Sequence, residues 1–384
     1  MTNNKTVCVG LSGGVDSAVA ALLLKKERWD VTGVTMRIWD NQFSLVSGKK
    51  HGAHACLGPN EEEEVAEARR ISDLIGIPYK VYDLKKDYSD VVLNYFSREY
   101  AVGRTPNPCV VCNCAMKFGR LMEMAILTQA GHFATGHYAR IRHDASSGRY
   151  ILRKGVDPKK DQSYFLHLLR QEQLARCVFP LGGMTKDEVR RIAVENHLGL
   201  DATPESQNFV AGDYTSLLKE GIVPGHFVDR AGRILGTHKG IAHYTIGQRK
   251  GLGIGGGDIF YVTEIDTHRN AVVLGAKTDL LHSECVATEV NWIIAPPEPG
   301  TVLKAKAKIR YQHRESACDI HVNSDRVSVA FEQPQLSITP GQFIVFYDGD
   351  DVIGGGAIEA AALRNPVNGL VPLAVSSGEA KPIS

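Results

Sequence analysis

The chain has 384 residues, a formal net charge of +1 and 43% hydrophobic side chains. Such a length predicts two or three domains with real cores. The near-neutral balance excludes recognition of nucleic acid by overall charge and leaves that task to local basic patches.

Neither a secretory leader nor a membrane span is expected. The start MTNNKTVCVG lacks a charged region followed by an apolar one, and no apolar run reaches bilayer length. The expected compartment is the cytoplasm, where the eight cysteines point to chemistry or metal before disulfides.

Residues 6–11 (TVCVGL) predict a buried parallel strand and residues 17–26 (SAVAALLLKK) a compact helix. Between them, Gly13 and Gly14 allow a sharp turn. The freed N–H groups and the helix N-terminus then face one concavity, an anion site. Ser12 and Ser17 add hydroxyls, and Asp16 suits a Mg²⁺ that accompanies the anion, so a polyphosphate is expected. No lysine follows the second glycine, so this is not a Walker A loop.

Residues 31–37 read as a second strand, 61–76 as a helix led by acids and 78–83 as a third strand. Helices follow at 88–102 and 117–129, and 132–135 leads into Gly136-His137-Tyr138. This alternation predicts an α/β fold with a doubly wound parallel sheet. Its ligands bind at the carboxyl ends of the strands, where Met36, Gly136 and His137 fall.

The stretch RTPNPCVVCN (104–113) reads as a rigid loop, held by two prolines, that presents Cys109 and Cys112 with Cys114 close behind. A thiolate here suits a nucleophile or sulfur carrier. It equally suits zinc or an iron–sulfur cluster. After a strand at 150–154, the turn 159–163 (KKDQS) is either a grip on phosphates and a base edge or a solvated turn.

Near residue 205 the texture changes to short β-prone runs broken by Gly and Pro, with DRAG (229–232) and DTHRNA (266–271) as hairpin turns. Lys304, Lys306, Lys308 and Arg310 alternate with apolar residues at strand period, which predicts a basic face beside Tyr311. The expected division is a catalytic α/β domain at 1–205, an adaptor β domain at 206–284, a C-terminal β-barrel at 285–363 and a mobile tail at 364–384.

The six residues 12–17 resemble the pyrophosphate loop of the N-type ATP pyrophosphatases. The wider chain resembles the tRNA-specific 2-thiouridylase (MnmA, TrmU) family. The marks are GLSGGVDS (10–17), GRTPNPCVVCNCAMKFG (103–119), ATGHYAR (134–140), KKDQSYFL (159–166), FPLG (179–182), HYTIGQRKGLGI (243–254) and NWI (291–293). The resemblance implies adenylation of the C2 oxygen of a wobble uridine, followed by its replacement with sulfur. It implies ATP and Mg²⁺ as cofactors, tRNA and a sulfur donor protein or sulfide as partners, and a working monomer.

It assigns ATP contacts to Gly10, Leu11, Ser12, Gly13, Gly14, Val15, Asp16, Ser17, Met36 and Gly136. Cys112 is the implied nucleophile, with Cys109 and Asp16 also catalytic. Asn107, Pro108 and Cys109 would border the target base, and His137, Lys160, Asp161, Gln162, Arg310, Tyr311 and Gln342 would contact tRNA.

One departure stands out. Relatives commonly carry a second catalytic cysteine where this chain reads ATPESQNFVAGDY (202–214), which has none. Two replacements are open: a 4Fe–4S cluster on Cys56, Cys109 and Cys112, or a persulfide on Cys112 resolved by Cys109 or Cys56. Two other readings of the whole chain also stand at this point. One is a synthetase or ligase acting on a small molecule, and the other is a catalytically silent, metal-bearing tRNA-binding protein.

Overall fold

A computed structural model describes residues 5–40, 55–127, 130–200, 208–210, 214–218, 222–255, 259–363 and 371–372. In the first half, five strands lie in the order Tyr79–Asp83, Asp30–Arg37, Thr6–Gly10, His132–Ala134, Cys177–Val178, each parallel to its neighbour. Central parallel strands must be apolar on both faces. Accordingly Val7 and Val9 enter one core with the helix Val15–Lys26, and Cys8 enters another with Val34 and Phe133.

The helix Val15–Lys26 buries Ser17, Ala18, Val19, Ala20 and Ala21, small side chains that let it lie close on the sheet. The helix Glu61–Ile75 begins with four glutamates, which suits its positive end. It stops at Gly76, whose φ of 71° is the left-handed cap. The strand order reverses at Thr6–Gly10, so a crevice opens between that strand and His132–Ala134 at their carboxyl ends. The doubly wound sheet read from the alternation is present.

Two helical rods cover the second face. Lys85–Tyr88, Ser89–Leu93 and Asn94–Ala101 run on end to end, as do Pro108–Val111, Cys112–Leu121 and Met122–Leu127. Ser89–Leu93 and Cys112–Leu121 are π-type, a geometry found often at functional sites. The second rod corrects the sequence reading, which left 104–113 as a loop and began the helix at 117. Pro108 needs no N–H at the first helical position, and the Asn107 side-chain oxygen accepts the Val110 N–H at 3.4 Å. Cys109 and Cys112 therefore stand three apart on a helix and share one side of it.

In the second half, Ile234–His238, Gly225–Asp229, Ala271–Gly275 and Tyr261–Asp266 form a four-stranded sheet in that order. DRAG and DTHRNA close its two hairpins as read. Leu281–Trp292, Arg326–Leu336, Ser316–Val322, Val302–Lys308, Phe343–Asp348 and Asp351–Leu363 pair antiparallel in order. The last returns to the first and closes a six-stranded barrel.

The hairpin Ala139–Asp144 and Arg149–Lys154 leaves the catalytic half and joins the barrel edge, Arg153 opposite Asp351. Ion pairs Arg153–Asp351 (2.6 Å), Arg142–Asp351 (2.8 Å) and Arg140–Asp350 (2.8 Å) fasten it. The expected mobile tail lies outside the described residues, apart from Val371–Pro372, which pair with Ala362 and Leu363. Among the described residues no helix is long and apolar enough to cross a membrane.

Candidate active site

The turn from Thr6–Gly10 into Val15–Lys26 lies at the crevice. Gly13 has a φ of 75°, and a Cβ on it would meet the Glu64 carbonyl oxygen at 2.9 Å, so only glycine fits. Gly14 caps the helix without a side-chain bond to its first N–H groups, which stay available to an anion. Inside the turn, the Ser12 N–H donates to Ser17 Oγ (3.2 Å) and the Ser17 hydroxyl to the Gly14 carbonyl (3.0 Å).

Gly136 presses on the helix start from the next strand. A Cβ there would lie 2.7 Å from the Asp16 carbonyl carbon and 2.8 Å from the Ser17 nitrogen. Gly10 ends its strand, Leu11 is buried behind it, Val15 opens the helix and Met36 sits half-buried near the end of Asp30–Arg37. The turn residues 10–17 and Gly136 thus meet at one crevice, while Met36 ends the strand on the other side of Thr6–Gly10. A cradle of N–H groups with a half-buried carboxylate fits a polyphosphate and its Mg²⁺.

Asp16 has partners that the sequence reading missed. Lys186 Nζ donates to both its oxygens, at 2.7 and 2.8 Å, and the Tyr138 hydroxyl donates to Oδ1 at 2.8 Å. Lys186 is 5% exposed. It brings to the phosphate loop the cation that the loop itself lacks. A signal for it existed. Thr185 and Glu188 form a capping box, Thr185 N–H to Glu188 Oε2 at 2.7 Å and Glu188 N–H to Thr185 Oγ1 at 3.4 Å. That box puts Lys186 at the first helical position, where a cation opposes the helix dipole.

The helix that carries Cys112 meets the residue after Gly136 through Phe118, whose ring centroid lies 5.7 Å from that of His137. Burial pushes the Cys112 thiol up to about 12, against an opposing pull from Lys117, and pushes Cys109 up to about 11. The exposed Cys56 nearby adds to both shifts. Lys117 also acts on His137, which burial first and that cation second hold well below the usual histidine range, so the imidazole is neutral. His137 Nδ1 lies 2.7 Å from Thr135 Oγ1, and its ring packs against Phe118 and Phe179. One cation therefore lowers both the thiol pair and the residue that follows Gly136.

Cys114 differs: its thiol donates to the Leu168 carbonyl at 3.4 Å. Among the described residues no three His, Cys, Asp or Glu side chains are grouped to hold a metal ion. The three thiols expected to share a cluster are thus not grouped as a metal cage among the described residues.

The residues expected to touch tRNA divide. Asp161 is buried and accepts the N–H groups of Gly155 and Ser163, both at 3.1 Å, with Lys308 Nζ 3.6 Å away. The Gln162 side-chain oxygen accepts the Tyr138 N–H at 3.0 Å. Both hold the loop's shape from within, and Lys160 precedes them on its half-exposed side. Gln342 Nε2 donates to the carbonyls of Thr105 (3.2 Å) and Pro106 (3.1 Å), so the barrel grips the segment that leads to the thiols. Arg310 Nη1 donates to the Leu336 carbonyl at 3.1 Å, and Tyr311 packs on Phe165 with ring centroids 4.4 Å apart.

Residues 5–211 match the family described as tRNA methyl transferase HUP domain. Residues 216–276 match the tRNA methyl transferase PRC-barrel domain, and 282–358 the aminomethyltransferase beta-barrel domain. The chain is 47% identical over 363 residues to the tRNA-specific 2-thiouridylase MnmA of Endomicrobium trichonymphae, covering 93% of this chain and 100% of that one. The chain belongs to the tRNA-specific 2-thiouridylase family. Other similar members are MnmA 2 of Thermoanaerobacter sp. strain X514, 44% identical over 368 residues (94% and 99% covered), and MnmA of Geotalea uraniireducens strain Rf4, 45% identical over 366 (93% and 96%). In this 2-thiouridylase-family chain the parallel sheet and the four-stranded sheet fall within the first two matched stretches, and the third covers all but the margins of the barrel.

Proposed function

We propose that the chain is an ATP-dependent tRNA 2-thiouridylase. It adenylates the C2 oxygen of the wobble uridine and replaces that oxygen with sulfur, releasing AMP and pyrophosphate. Family membership supports the activity, and the observation that carries the site is Lys117. Its neighbour Phe118, on the helix that carries Cys112, packs on His137 with ring centroids 5.7 Å apart, and the Lys117 charge pulls down Cys109, Cys112 and His137 alike.

A uracil carbonyl oxygen is a poor leaving group, and bonding it to AMP makes it a good one. The N–H groups at the start of Val15–Lys26 and the Lys186 ammonium stabilise charge on the departing pyrophosphate. Mg²⁺ held through Asp16 would neutralise more of that charge. Asn107, Pro108 and Cys109 border the flipped base.

Sulfur comes from Cys112 carrying a persulfide. Its terminal sulfur attacks C2, the bond from C2 to oxygen breaks, and AMP leaves with the electron pair. A Cys56 thiolate then attacks the Cys112 sulfur, the bond to the transferred sulfur breaks, and 2-thiouridine departs as a Cys56–Cys112 disulfide forms. A thiol reductant resets the pair. Supporting Cys56, its strand Ala55–Leu57 runs parallel beside Asn208–Val210, the stretch where the family resemblance expects a second cysteine. Residues 1–205 would carry the chemistry, with the adaptor at 206–284 and the barrel at 285–363 holding the anticodon stem of one tRNA per cytoplasmic monomer.

The test is anaerobic purification followed by incubation with unmodified tRNA, ATP and a sulfur source. Expected are 2-thiouridine with matching AMP, no product from Cys112→Ala and nearly full product from Cys114→Ala. Failure of the wild-type protein to thiolate tRNA overturns the reading. Bound iron and inorganic sulfide in active protein would put a cluster in place of the persulfide.

A further inference from the structure

Beneath the thiol-bearing helix, Tyr88 is 1% exposed, and its hydroxyl has no hydrogen-bond partner among the described residues. It shares a core with Leu57, Val110, Cys112 and Met116, and its segment Lys85–Tyr88 packs on Cys112–Leu121. A buried donor without an acceptor costs stability, and native cores pair such groups almost without exception. A phenylalanine would fill the same space without that cost. Beyond burial, what raises this phenol is the neighbourhood of thiols, Cys112 first, then Cys56 and Cys109.

We propose that Tyr88 is a further catalytic residue of the sulfur-transfer step: its hydroxyl donates a hydrogen bond to the sulfur carried on Cys112. This rests on the reading of Cys112 as the sulfur carrier. A sulfur anion entering an apolar pocket loses its water, and a fixed neutral donor replaces part of that hydration. Burial and the neighbouring thiols raise the phenol well above its ordinary range, so it stays protonated and donates without ionising. No bond to Tyr88 forms or breaks. The hydrogen bond holds the terminal sulfur toward C2 of the adenylated base, and the resting protein keeps an unsatisfied group in its core until sulfur arrives.

Tyr88→Phe removes one oxygen and little else. Three quantities test the proposal: the melting temperature of the resting protein, the rate of pyrophosphate release with unmodified tRNA, and single-turnover thiolation from protein preloaded with persulfide. The variant is expected to melt higher than wild type and to adenylate within about twofold of its rate. Its thiolation should be slower by about tenfold or more, the discrimination expected of one charge-assisted hydrogen bond. The near-ultraviolet band of the persulfide anion should also shift, which a purely structural tyrosine would not cause. Wild-type thiolation, or an equal loss of adenylation and thiolation, overturns the role of Tyr88. A lower melting temperature overturns the unsatisfied resting hydroxyl on which it stands. Mass spectrometry of Cys112 separates the two levels. Persulfide present with Tyr88→Phe unimpaired removes only this inference, and no persulfide in active wild type removes the carrier reading together with it.

Discussion

Asp16 and Lys186 show how much one side chain's neighbour changes its meaning. Read alone, Asp16 is a metal ligand. In the fold it also holds an almost buried ammonium at 2.7 Å beside the phosphate cradle. On the proposed function, Lys186 would turn from Asp16 to the phosphates when a nucleotide binds. Lys186→Met is expected to lower tRNA-dependent pyrophosphate release about a hundredfold, the usual loss on removing one electrostatic contact to a developing anion, with tRNA affinity unchanged in a filter-binding assay. The thiols permit a second check. With Cys112 pushed up to about 12, the thiolate fraction grows tenfold per pH unit through neutrality. Alkylation of Cys112 should therefore keep rising with pH from 7 to 10 without a plateau, followed by mass spectrometry of the tryptic peptide. The cysteine positions were plain in the sequence. Their burial was not, because it depends on which helices cover them.

At the scale of elements, the start of a helix decides what its residues do. Asn107 and Pro108 convert an apparent loop into the first turn of the rod that carries Cys109 and Cys112. Asn107→Ala should cost about 1 kcal/mol of stability, read by urea denaturation, and thiolation should fall further than adenylation because only the thiol end is loosened. The helix Glu61–Ile75 begins under the phosphate turn. There Glu64 is raised to about 7 by burial, with Glu61 and Glu63 adding to the shift. The sign follows from linkage. Below pH 4.5 both states hold the proton, and between 4.5 and 7 the folded state keeps a proton that the unfolded chain has lost. Stability therefore falls as pH rises through that window, and the cost stays above 7. Glu64→Gln should raise the melting temperature more at pH 8 than at pH 5, and an equal effect at both would contradict it. A run of acids at a helix start is usually solvated. That reading holds for the exposed Glu62 and Glu63 and fails for Glu64, because only the packed sheet reveals which side of the first turn faces inward.

Across the whole molecule, the barrel does more than present a basic face. Gln342 grips the carbonyls of Thr105 and Pro106, Arg104 reaches the Ile358 carbonyl at 3.2 Å, and the Tyr164 hydroxyl donates to the Phe343 carbonyl at 2.9 Å. The segment leading to Cys109 is therefore set by residues more than two hundred positions away. If Gln342 acts through that grip, Gln342→Ala lowers the thiolation rate and leaves the dissociation constant for tRNA within about twofold. A direct RNA contact would raise the dissociation constant instead. The ladder 304–310 divides in the same way. Lys304 and Lys306 stay exposed, while Lys308 lies between Asp161 and Glu315 over the Tyr347 ring.

Local pattern by itself determined the glycine turn, the parallel sheet and the two β regions, because strand period, glycine placement and turn chemistry act over a few residues. The tertiary structure alone decided that Lys186 faces Asp16, that Tyr88 lies among the cysteines, that Cys56 runs beside Asn208–Val210 and that the barrel clamps the thiol segment. Each of these joins residues far apart in the chain. Such pairings follow from how apolar faces stack and how strands find partners, and no short window of sequence contains that information.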